Sequence, residues 1–146
     1  MELSDLYSRE IIRIAGRLSP ENRLKSPDAS ARRASRICGS VVEVDIKMGD
    51  GKVSEYGQEV NACALGQTAA SIMAEHIVGS TPDELRTLRH QVEAMLKENG
   101  PPPTGKWADI KYLEPVRDFA PRHASVMLVF NAVVEALDKI SAPVAT

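Results

Sequence analysis

Apolar and polar residues alternate strictly from Val41 to Met48. Val42, Val44, Ile46 and Met48 share one side, and Glu43, Asp45 and Lys47 share the other. A period of two marks a strand with one buried face. Gly49-Asp50-Gly51 follows and the chain returns over Lys52 to Val60, so this stretch is predicted to be a β-hairpin. Gly57 in the returning strand predicts a bulge or a close approach of another backbone segment. A weaker strand, with poor alternation, is expected over Ala31 to Ile37, after a loop spanning 20–30.

Elsewhere the period is helical. From Ser4, a plausible N-cap, to Leu18, the residues Leu6, Tyr7, Ile11, Ile14, Ala15 and Leu18 fall on one face. Arg9, Arg13 and Arg17 form a solvated stripe, and Pro20 closes the run. Ala64 to Val78 predicts a helix of small and apolar residues with Leu65, Thr68, Ala69, Ile72, Met73 and Ile77 inward and Gly79 behind it. Thr81-Pro82-Asp83-Glu84 reads as an N-cap, a proline at the first helical position and a capping-box glutamate. The helix it opens buries Leu85, Leu88, Val92, Met95 and Leu96 and stops at Asn99-Gly100. Pro101 to Pro103 predict a stiff surface linker, Trp107, Ile110, Tyr112 and Leu113 a short docking turn, and Pro115 and Pro121 a bracketed loop. A last helix runs from Arg122 to about Ile140, with Val126, Met127, Phe130, Val133, Val134, Leu137 and Ile140 on its apolar face. The order predicts an α+β fold, a small antiparallel sheet of about three strands packed on one face by helices.

A chain of 146 residues suits one domain over 1–146, with 100–121 as an insertion or loop inside it. The 18 Lys and Arg nearly balance 20 Asp and Glu, so no global positive field exists to attract nucleic acid. Aromatic residues, at 4%, are too sparse to stack bases. Arg32, Arg33 and Arg36 form one local basic cluster, read as a solvated face, and His76 and His90 are read as surface residues. No apolar run reaches the length of a membrane span. The acidic start, Met1 to Asp5, lacks the basic character of a leader peptide, so a cytoplasmic location is expected. Two cysteines make no disulfide framework, and in a reducing compartment both are free for metal or sulfur chemistry.

Cys38 precedes the strong strand in Ile37-Cys38-Gly39-Ser40, and Cys63 sits where the returning strand meets a helix. A hairpin brings the start of its first strand beside the end of its second, which predicts that the two cysteines are neighbours. A thiol at a helix N-terminus faces unpaired N–H groups and the positive end of the helix dipole, a setting that favours thiolate. His123 opens the last helix in Pro121-Arg122-His123-Ala124-Ser125. On position alone, both cysteines read equally as small buried hydrophobes, His123 as a polar helix-start residue, and Ser40 as a turn hydroxyl bonding nearby backbone.

Cys38-Gly39-Ser40 before an alternating strand, Cys63 opening a small-residue helix, and Pro115-Val116-Arg117-Asp118-Phe119-Ala120-Pro121-Arg122-His123-Ala124-Ser125 together resemble the U-type iron–sulfur cluster assembly scaffolds. These are the NifU N-terminal domain and its SufU and IscU relatives. The likeness extends from Leu6-Tyr7 to Leu137, and the segment with three prolines is more like the SufU branch. In that family a Cys-Gly-Asp supplies a thiolate and a carboxylate, a Gly-Cys the second thiolate, and a Cys opening the last helix the third, the usual acceptor of persulfide sulfur. Cys38 and Cys63 match the first two thiolates. Ser40 stands for the Asp, Ala62 for the Gly and Ala124 for the third Cys. His123 matches a histidine that some relatives use near the cluster, and Arg122 an arginine found near the site in SufU-like relatives, read equally as a contact for an anion or sulfur species and as a helix-start surface charge.

The resemblance implies a scaffold or carrier, not an enzyme, that transiently holds iron, a [2Fe–2S] cluster or sulfur through Cys38, Cys63 and His123, with Ser40 the weakest donor. Its expected partners are a cysteine desulfurase and apo-protein cluster acceptors, with weak homo-oligomerisation open. Two alternatives stand beside it: a zinc-binding sulfur acceptor that stimulates a desulfurase, and a metal-free interaction module. Clusters and tetrahedral zinc want four ligands, and this chain offers two thiolates and an imidazole. The shell then needs a second subunit, glutathione, or an acid such as Asp45 or Glu59.

Overall fold

The computed structural model describes residues 7–18, 21–36 and 39–141. Helix α1 (Arg9–Gly16) is followed by strands β1 (Glu21–Asn22), β2 (Ala29–Ala34), β3 (Val41–Gly49) and β4 (Lys52–Asn61), then by helices α2 (Ala64–His76), α3 (Pro82–Lys97) and α4 (His123–Ser141). A 3-10 segment, Gly105–Asp118, and a single 3-10 turn, Ala120–Arg122, join α3 to α4. The sheet is antiparallel in the order β1-β4-β3-β2. Its three long strands are those the sequence predicts, and the two-residue β1 adds a short fourth at the edge. Ala29–Ala34 forms β2, earlier in the chain than the expected 31–37, so the predicted loop over 20–30 contains β1 and the start of β2.

Val42, Val44 and Ile46 of β3 are buried against α4, which also packs on β2, while α2 lies against β4 and α1. Helix α4 is buried nearly all round, from Ser125 to Leu137, because its apolar residues are not confined to one stripe. All five predicted stripe residues of α3 are buried, as are the six inward residues of α2. Helix α1 begins later than expected: Ser8, not Ser4, is its N-cap and accepts from the Ile11 N–H at 3.2 Å. Ser4, Leu6 and Pro20 lie outside the described residues.

Several local readings are corrected. Asp45 is buried at 1% exposure instead of facing solvent with Glu43 and Lys47. The Arg23 guanidinium grips it (Nε to Oδ2 2.6 Å, Nη2 to Oδ1 2.9 Å), and the Leu24 N–H and Ser30 hydroxyl also donate to it. This lid over the outer sheet face needs Gly57, where a Cβ would stand 2.5 Å from the Asn22 carbonyl oxygen and 2.8 Å from the Leu24 nitrogen. Close approach is thus the role of Gly57, and the strand irregularity falls at Lys47/Met48. Second, Thr81 caps α3 through the Glu84 N–H at 3.1 Å, but the Glu84 carboxylate closes no capping box. It accepts from Trp107 Nε1 at 3.0 Å and from Ser80, and pairs with Lys106 at 3.2 Å. Third, the stretch read as turn and bracketed loop is helical for 14 residues. Trp107, Ile110, Leu113 and Val116 are its buried residues, one at every third position, which is the stripe of a helix with three residues per turn. His76 is half-buried edge-on to Trp107, with ring centroids 5.9 Å apart, and is no plain surface residue.

Candidate functional site

Register fixes one end of the hairpin. Val41 pairs with Asn61, so Ser40 and Cys63 leave the sheet side by side. Ser40 is 2% exposed, and its Oγ accepts the Cys63 N–H at 3.3 Å. A second tether closes the turn before β3: the Ser35 N–H donates to the Ser40 carbonyl at 2.8 Å and the Gly39 N–H to the Ser35 carbonyl at 2.9 Å. Gly39 has φ +69°, a conformation in which a side chain is strained. Cys38, the residue before it in sequence, lies outside the described residues, as does Ile37.

Cys63 is a free, half-buried thiol at the N-cap of α2. Its extended backbone (φ −67°, ψ 171°) starts the helix without a side-chain cap bond, so Sγ is not consumed by capping. Its carbonyl accepts the Gln67 N–H, and the Gln67 side chain donates to the Ala62 carbonyl at 2.8 Å. One turn into α2, Gly66 brings the start of α4 against it. A Cβ on Gly66 would stand 2.9 Å from Ala62 Cβ and 3.2 Å from the Ser125 carbonyl oxygen. Ala62-Cys63 and Ala124-Ser125 therefore abut across a glycine, which the small-residue composition of 64–70 hinted at but did not single out.

His123, the first residue of α4, is buried at 9% exposure. Its Nε2 lies 3.0 Å from the Val116 carbonyl oxygen and 3.1 Å from that of Arg117. Carbonyls only accept, so Nε2 is a protonated, donating nitrogen. Anchoring one ring nitrogen on backbone carbonyls fixes the ring's orientation, as it does for metal-binding histidines, and it equally ties the 3-10 segment to α4. Arg122 ends the short 3-10 turn, with its N–H on the Phe119 carbonyl at 2.8 Å. Ala124 is exposed and borders a cavity of about 600 Å³ between α3, α4 and the 3-10 segment.

Both acids considered for completing the shell face Arg23. Asp45 is bound by Arg23, Ser30 and Leu24, and Glu59 faces the Arg23 Nη1 at 3.5 Å. Burial raises the affinity of Asp45 for a proton, but the hydrogen bonds from Arg23, Ser30 and Leu24 and the Arg23 charge outweigh it and hold its pKa below the ordinary carboxylate value. No group of three or more His, Cys, Asp or Glu side chains among the described residues is placed to hold a metal ion. The candidate donors among the described residues are thus the half-buried Cys63 thiol, the buried His123 imidazole and the buried Ser40 hydroxyl, with a methyl group at position 124. Among the described residues no helix is long and apolar enough to cross a membrane.

The backbone that presents these residues is shared with known proteins. The N-terminal part of a nitrogen-fixing NifU-like protein from Brucella abortus superposes with a TM-score of 0.91 at 48% identity, over 94% of this chain and 96% of that one. The iron-sulfur cluster assembly scaffold protein IscU of Thermotoga maritima is 29% identical over 141 residues, covering 94% of this chain and 96% of that protein. A putative iron-sulfur cluster assembly scaffold protein for the SUF system of Fervidobacterium islandicum shares the fold, with a TM-score of 0.83 at 18% identity over 93% of this chain and 99% of that one. No family model matches the sequence. These likenesses define a class, the small α+β proteins of iron–sulfur cluster assembly. The chain belongs to the U-type iron–sulfur cluster assembly scaffold family, a family of scaffolds rather than enzymes, on its NifU N-terminal-like side.

Proposed function

We propose that this protein is a scaffold or carrier in iron–sulfur cluster assembly whose cargo, iron or a [2Fe–2S] cluster, is held by Cys63 and Cys38 with Nδ1 of His123 assisting. The observation that carries this reading is the abutment, through Gly66, of the Cys63 N-cap with the start of α4, beside the Ser40 hydroxyl. The contact supports a shared site for Ser40, Cys63 and position 124, with His123 beside position 124 in sequence, all positions that match the family's ligand positions. Thiolates are the ligands iron–sulfur clusters prefer, and Sγ of Cys63 is not spent on capping. The role of Cys38 rests on its match to the first family cysteine, and that of Arg122, contacting an anion or sulfur species, on its match to the family arginine. A cysteine desulfurase and apo-protein acceptors are the partners this reading supplies.

The test is reconstitution without oxygen, using a cysteine desulfurase, cysteine and ferrous iron, followed by iron and acid-labile sulfide analysis of the re-isolated protein. Iron and sulfide in equal amounts are expected, and Cys63→Ala and Cys38→Ala should each abolish both. Stoichiometric zinc with no sulfide would replace this reading by that of a zinc-binding sulfur acceptor. Retention of iron by both variants would refute the site.

A further inference from the structure

The cavity beside Ala124 is more than a missing ligand. It is lined by Leu96 and Met127, both nearly fully buried, by His123 and Asn131, and by three charged groups: Glu93, Lys97 and Arg117. Glu93 faces Arg89 at 4.0 Å. Arg117 directs Nη2 to the Gly100 carbonyl at 3.1 Å and to Glu114 at 3.4 Å, while its Nε is buried without a hydrogen-bond partner among the described residues. Lys97, in the last turn of α3, is exposed. The wall is therefore an apolar floor with a cationic side, and about 600 Å³ lies within the range of small-molecule sites. Ala124, Met127 and Asn131 line it from one face of α4, so the methyl of Ala124 stands where a ligand in the cavity meets the start of the helix.

The whole chain holds two cysteines, fewer than the thiolates a cluster or a closed zinc site takes. We propose that this cavity binds a low-molecular-weight thiol bearing a carboxylate, of the cysteine or glutathione type, whose sulfur replaces the ligand absent at Ala124. The inference rests on the scaffold reading above and names what completes its site. The carboxylate is held by Lys97 and the Arg117 side, the carbon chain lies on Leu96 and Met127, and the sulfur points past the Ala124 methyl toward the cargo. On coordination the S–H bond breaks heterolytically, its proton passing to solvent and its electron pair to the metal, with no change of oxidation state. Cargo held in this way depends on the thiol pool, and release of the small thiol opens a coordination position.

Cobalt(II) titration of the intact protein tests this, with thiolate-to-cobalt charge-transfer absorption as the readout and a phosphine as the only other reductant. Glutathione should raise the cobalt affinity of the wild type by about tenfold or more, and S-methylglutathione should not. Ala124→Cys should bind cobalt tightly alone and lose the glutathione gain, as should Ala124→Leu, which occludes the cavity without supplying a ligand. Lys97→Glu should weaken the effect of glutathione while leaving that of 2-mercaptoethanol unchanged. No effect of glutathione on a wild type whose Ala124→Cys form binds cobalt would overturn this proposal and leave the scaffold reading standing, and an undiminished gain in Ala124→Cys would do the same. Cobalt bound by neither protein under any condition would overturn both.

Discussion

The contact that assembles the candidate site is also the one most sensitive to a single added carbon. Gly66→Ala places a Cβ 2.9 Å from Ala62 Cβ and 3.2 Å from the Ser125 carbonyl oxygen, where carbon atoms pack at about 3.5–4.0 Å. Neither obstacle can swing aside: one is a methyl fixed to the backbone and the other is backbone. The starts of α2 and α4 must then separate by several tenths of an ångström or more. Two effects oppose each other. Alanine gains up to about 1 kcal/mol over glycine in helix propensity, less in a first turn. Forcing a methylene into a packed contact costs about 1–3 kcal/mol. The net expectation is a destabilisation of about 1–2 kcal/mol. Trp107, the single tryptophan, is buried at 6% exposure, so its fluorescence reports unfolding in urea. The same separation should weaken cobalt binding, because it draws Cys63 away from the start of α4. Ala62→Gly removes the shorter of the two contacts, and Gly is the residue the family usually carries there. In the double variant it should recover half or more of the loss, a coupling read from the double-mutant cycle. If Gly66→Ala stabilised the protein, or Ala62→Gly left its penalty untouched, the helix abutment would not be the constraint described.

Arg23→Met leaves the Asp45 carboxylate buried with only Ser30 and the Leu24 N–H as donors, and should cost toward the lower end of about 3–5 kcal/mol at pH 7. In the wild type the lowered pKa of Asp45 contributes stability above its unfolded pKa of about 3.9 and loses it as pH falls through the folded value. In the variant burial dominates and the sign reverses, so the penalty should shrink between pH 7 and pH 4.5 in urea titrations; an equal penalty at both would refute the account. Trp107→Phe keeps a ring under the 3-10 segment but removes the donor to Glu84, leaving Ser80 and Lys106 as its partners. A loss of about 1–2 kcal/mol in calorimetry and faster proteolysis within 105–118 are expected, and an unchanged protein would show that the indole bond does not hold that segment.

What could be read from the residues in order was what local pattern dictates. Alternation over 41–48 gave the hairpin, Thr81-Pro82 gave the start of α3, and the apolar run from Val126 gave α4, each within a few residues. The failures share one cause, a partner distant in sequence. Asp45 obeys the alternation that points it outward, but Arg23, 22 residues earlier, folds over it across Gly57. Glu84 fits a capping box, yet Trp107, 23 residues later, takes its carboxylate. The 3-10 segment had its period of three in plain view at Trp107, Ile110, Leu113 and Val116, hidden by prolines that read as loop.

The placement of Cys63 and His123 at helix starts was legible in the residue order. What positions residues 40, 63 and 124 is backbone: the Val41↔Asn61 register, the left-handed Gly39, and the Gly66–Ser125 contact. Ser40 accepts the Cys63 N–H with a side-chain oxygen, and an aspartate oxygen at that position is able to accept the same bond. Ala124 is exposed, so a cysteine at that position is a donor to cargo and no part of the core. A TM-score of 0.91 to a NifU-like domain measures this shared backbone frame. At position 124 the exposed methyl adjoins a cavity large enough to be filled from solution.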